Sequence, residues 1–178
     1  MELSFCTYNM EMKDRVDEGY IDAQEHTAAT LPPLADIFFL QGVGHSSSRP
    51  LIKALVERNF KIIKLDKAEP NHTAVAVSND KFFILKNLSY ELGIHKVSRD
   101  VAVAVVVEKS TYKKFVLTSK NILDLSYRDN SGEVAKYEDT FLDASIKVLN
   151  EIDAHITLGG IVMDPSDSQL SYLKSQGF

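Results

Sequence analysis

The sequence predicts a mixed α/β fold in which helices cover the faces of β-sheets. Three observations predict it. Short segments rich in β-branched and aromatic residues, each bounded by turn formers, recur along the chain, and several in its middle follow one another with no helix between them, which calls for antiparallel pairing. Ile37-Phe38-Phe39-Leu40 and Val101–Val107 are apolar at every position, so both faces of each need cover, as in interior strands.

In chain order, strands are predicted at Leu3–Tyr8, Asp36–Gln41, Phe60–Leu65, Thr73–Val77, Lys81–Leu85, Val101–Val107, Lys114–Thr118 and His155–Leu158. Three helices are expected between them. Ile21–Leu31 stops at Pro32-Pro33. After the capping candidates Ser46-Ser47-Ser48, Pro50 suits a first helical turn, and Leu51, Ile52, Leu55 and Val56 form one stripe. Phe141, Ala144, Val148, Leu149 and Ile152 recur at three- and four-residue steps, and a short last helix is expected near Ser168–Ser175. Glycines 42 and 44 read as the connection from the second strand into the second helix.

With 178 residues, at roughly 100–200 residues per domain, one domain spanning 1–178 is expected. The 44% hydrophobic and 25% charged fractions are those of a globule and exclude a disordered chain. The lone Cys6 excludes an internal disulfide and suits a reducing compartment. The start lacks a secretory pattern, and no apolar run approaches the ~18 residues of a membrane span, so a cytoplasmic protein without a membrane role is expected. A formal charge of −5 works against binding nucleic acid, which relies on Lys and Arg neutralising phosphates. Lys109, Lys113 and Lys114 with Tyr112 read as a solvated hairpin tip. The five histidines lack metal-ligand spacing, and Ser119 and His155 read as ordinary residues at strand ends.

Four segments, in order, resemble the endonuclease/exonuclease/phosphatase superfamily. They are Leu3-Ser4-Phe5-Cys6-Thr7-Tyr8-Asn9, similar to an opening strand ending in T-Y/W-N; Ala35-Asp36-Ile37-Phe38-Phe39-Leu40-Gln41-Gly42, similar to aDIi-LQE; Lys114–Ile122, similar to the strand ending in n-x-H-L; and Ile156–Pro165, similar to i-GDFN-xxP. The resemblance covers about Leu3 to Phe178. It implies a DNase I-like four-layered α/β sandwich, two mixed sheets flanked by helices, here truncated at its C-terminus. It also implies a Mg²⁺-dependent phosphoesterase site at the strand ends.

The departures fall on that site. Where the family carries the glutamate of LQE, its main metal carboxylate, this sequence has Gly42. Gly160 and Val162 stand at the aspartate and asparagine of GDFN, Asn121 at the histidine, and a terminal S-D-H is missing. Asn9 alone remains. A hard divalent cation needs oxygen ligands, and glycine offers none from a side chain. The expectation is a degenerate member, a pseudoenzyme without catalytic residues, metal or cofactor, serving as a binding or assembly module. Under the alternative, Mg²⁺ returns on relocated carboxylates at Glu11 and Asp164. The truncation leaves a sheet edge to be covered by a second copy or by a protein partner.

Overall fold

The computed structural model describes residues 2–10, 25–31, 35–44, 49–67, 71–94, 97–121, 151–162, 171 and 174–175. Two compact units divide the chain, one of Met1–Asn121 with Ala154–Ile161 and the other of Ile122–Asp153 with Val162–Phe178. Apart from Val162, the strands below belong to the first unit.

Sheet A contains β1 (Phe5–Asn9), β2 (Ile37–Gly44), β3 (Phe60–Ile63) and β4 (Asn71–Ser78) in the order β1-β2-β4-β3. β1 runs parallel to β2, with Phe5 opposite Ile37 and Asn9 opposite Gln41. β4 is antiparallel to both of its neighbours. Sheet B contains β5 (Phe82–Asn87), β7 (Val97–Glu108), β8 (Lys114–Asn121) and β9 (Ile156–Val162) in that order, and β6 (Tyr90–Ile94) also pairs with β7. β5, β6 and β8 lie antiparallel to β7. β8 and β9 advance together: the His155 N–H donates to the Lys114 carbonyl, and four residues on in each strand Gly159 lies against Thr118. Both sheets are thus mixed, in agreement with the DNase I-like architecture.

The alternation of side chains along a strand sorts the core into two layers. Ile37, Phe39, Val75, Val77, Ala102, Ala104, Val106, Phe115 and Leu117 fill the space between the sheets, with Phe82 set edge-on to Phe115 at 6.1 Å. On the other side of sheet A, Phe38, Leu40, Ala74 and Ala76 pack beneath Leu51, Ile52 and Leu55. All eight residues of β2 are buried, and so are Val101–Val106, as their unbroken apolar runs require.

Residues 25–30 are helical (α1). The second helix, α2, spans Pro50–Glu57 with Pro50 in its first turn. Its N-cap is Arg49, which makes no capping side-chain bond, so a serine cap is not what starts it. Val56 is exposed and falls outside the buried stripe. α2 stops at Arg58, and Asn59 follows at φ 63°, a left-handed conformation that asparagine tolerates at a helix end. Of the last two expected helices, residues 122–150 and most of 163–178 lie outside the described residues; Ser171, Lys174 and Ser175 are helical.

Two further departures have local causes. β2 continues past Gln41 through Gly42, Val43 and Gly44, with its register shifting there against β4; an extra residue accommodated by glycines at positive φ is a bulge, not a loop. β6 was not expected, because Glu91 and Gly93 dilute the strand signal of Tyr90–Ile94.

Candidate functional site

The in-and-out alternation that builds the apolar layer between the sheets ends, at one end of the sandwich, in polar residues. Gln41 follows Ile37 and Phe39 in phase, Thr73 follows Val77 and Val75, Ser119 follows Phe115 and Leu117, and Asp100 follows Ala104 and Ala102. All four are buried. A buried amide or carboxylate must find partners or pay its desolvation, and these find one another.

The Gln41 amide nitrogen donates to Ser119 Oγ at 3.1 Å and to Thr7 Oγ1 at 3.3 Å, and the Ser119 hydroxyl donates to the Leu40 carbonyl at 2.9 Å. One residue pair along, the Thr73 N–H donates to Asp100 Oδ2 at 3.0 Å. Thr73 Oγ1 donates to the Asp100 carbonyl at 3.1 Å and accepts from the Ala102 N–H at 3.0 Å. Lys67 Nζ reaches Asp100 at 3.2 Å and Glu91 at 3.1 Å. Burial pushes the Lys67 ammonium down, and the Glu91 and Asp100 carboxylates outweigh that and hold it above the usual lysine range. A polar belt therefore ties β1, β2 and β4 of sheet A to β7 and β8 of sheet B. Sequence reading missed it, although each member is a polar residue in phase with inward apolar ones.

The positions singled out in the sequence lie at this same end. Asn9 closes β1 and pairs in register with Gln41. Gly42 is the next residue of β2, Asn121 follows Ser119 by two at the end of β8, and Gly160 lies one past Gly159 near the end of β9. The fold thus gathers Asn9, Gly42, Asn121 and Gly160 at one mouth. Val162 is the last residue of β9. Glu11 and Asp164 lie outside the described residues.

Gly42 has φ 64° and Gly44 φ 57°. The left-handed region disfavours residues with a Cβ, so the backbone at position 42 favours glycine. At Gly44 a Cβ would also come within 3.0 Å of the Arg49 guanidinium. An octahedral Mg²⁺ site is normally anchored by one or two carboxylates. Asn9, Gly42, Asn121 and Gly160 contribute two side-chain amides and no carboxylate. Among the described residues no three His, Cys, Asp or Glu side chains converge.

The remaining candidates serve the sheets. His155 Nδ1 accepts from the Lys114 N–H at 3.2 Å. At the hairpin tip Glu108 is buried and accepts from the Ser110 and Thr111 hydroxyls. Lys109 lies 4.7 Å from the centre of the Phe83 ring and also bonds the Asn79 carbonyl, so its charge is engaged locally. Tyr112 is exposed. Among the described residues no helix is long and apolar enough to cross a membrane.

Comparison with known proteins places this architecture. An endonuclease/exonuclease/phosphatase from Bacteroides vulgatus superposes with a TM-score of 0.72 over 99% of this chain and 72% of its own, at 16% identity. The human Nocturnin catalytic domain, solved with bound sulfate, gives 0.70 over 97% and 69%, at 11% identity. Humanized D. rerio TDP2 gives 0.67 over 96% and 66%, at 13% identity. The chain thus has the fold of these proteins while spanning about two thirds of their length. No protein-family description matches the sequence. A fibrillarin-like rRNA/tRNA 2'-O-methyltransferase of Sulfolobus acidocaldarius is 33% identical over 101 residues, which are 57% of this chain and 39% of that protein.

Proposed function

We propose that this chain is a degenerate endonuclease/exonuclease/phosphatase domain that has lost metal-dependent phosphodiester hydrolysis and works as a binding or assembly module. One observation carries the reading: Gly42, at the position corresponding to the superfamily's metal carboxylate, sits in a bulge at φ 64°, where a side chain would be strained. The polar groups beside it support the same reading. Gln41, Ser119 and Thr7 are bonded to one another across the sheets, and an amide or hydroxyl so engaged is a poor replacement for a carboxylate. Losing one acid or base costs about 10²–10⁴ in rate, and the resemblance lacks such groups at Gly42, Asn121, Gly160 and Val162 together.

Methyl transfer is not carried over from the methyltransferase likeness. That likeness covers 57% of the chain, whereas the two-sheet architecture is shared over 96–99% of it.

Titration calorimetry with Mg²⁺ and Mn²⁺, followed by an assay on bis-(p-nitrophenyl) phosphate, tests the reading. The expected result is no saturable binding and no turnover above buffer. Saturable Mg²⁺ binding with turnover overturns it, and loss of both in Glu11→Gln or Asp164→Asn would then assign the activity to relocated carboxylates.

A further inference from the structure

We draw no further inference here: the strongest candidate, the surface patch of Phe83 and Leu85 on β5 with Lys109 and Tyr112 at the β7–β8 hairpin tip of sheet B, carries nothing because nothing in the structure shows what covers it.

Discussion

Replacing Gly42 tests whether the vacancy at the mouth is built into the backbone. At φ 64°, an L-residue brings its Cβ against the following carbonyl at a cost of roughly 1–2 kcal/mol. Gly42→Ala isolates this strain and is expected to be destabilised by about that much, against which the entropic benefit of alanine in the unfolded chain is only about 0.4–1 kcal/mol. Gly42→Glu introduces the glutamate of the LQE motif that Leu40-Gln41-Gly42 resembles. It adds a carboxylate where β2 is buried, and moving an ion out of water costs several kcal/mol beyond the strain. Urea unfolding at neutral pH measures both variants. For a domain of this size each kcal/mol lowers the melting temperature by about 2–4 °C, so the two should separate clearly in a thermal scan. The ordering wild type, alanine, glutamate is the prediction, with no Mg²⁺ binding regained by the glutamate. If Gly42→Glu were as stable as wild type and bound Mg²⁺ in calorimetry, the bulge would be no barrier and the reasoning from φ would fail.

Ser119→Ala takes away one of the two acceptors of the Gln41 amide nitrogen and the hydroxyl that bonds the Leu40 carbonyl and should cost about 0.5–1.5 kcal/mol for each hydrogen bond lost, read from the urea midpoint. Thr73→Val keeps the shape but removes both the acceptor of the Ala102 N–H and the donor to the Asp100 carbonyl; a loss of about 1–3 kcal/mol is expected, chiefly from the orphaned Ala102 donor, and a neutral result would show that water satisfies it. Burial pushes the Asp36 carboxyl up, but the Lys81 ammonium at 2.8 Å and the Ser4 N–H and hydroxyl, each at 3.0 Å, outweigh it and hold the carboxyl below its ordinary value. Its stabilisation is therefore present above the unfolded carboxylate range and lost as pH falls through the lowered folded value; Asp36→Asn should flatten the acid limb of a stability profile. Lys67 is held high, so its contribution is present below the unfolded lysine value and lost as pH rises through the folded one; Lys67→Met should flatten the alkaline limb.

Much of the fold can be read from local pattern because it is locally encoded. Ile37–Leu40 and Val101–Val107 are apolar throughout, and the structure buries Ile37–Leu40 and Val101–Val106 on both faces. The stripe Leu51, Ile52, Leu55 places α2 on sheet A. The site was legible only in its positions: the resemblance marked Asn9, Gly42, Asn121 and Gly160, and the fold brings them to one end. The chemistry between those positions was not legible, because Gln41 and Ser119 are 78 residues apart and no spacing rule joins them. The available signal was phase, a polar residue replacing an apolar one at an inward step of four different strands. The bulge stayed hidden for another reason: Gly-Val-Gly after a strand looks the same whether the chain leaves the sheet or bends within it.

The belt and the bulge together bear on what this mouth can still do. A site that grips a cation keeps its oxygens pointed outward and lets the ion supply their missing partner. In this chain the Gln41 amide, the Ser119 hydroxyl and the Thr73 hydroxyl are turned inward and bonded to groups of the two sheets, so removing any one weakens the sandwich and none waits for a ligand. The glycine beside them lets β2 bend without presenting a side chain. Polar character at the strand ends is thus spent on joining sheet A to sheet B.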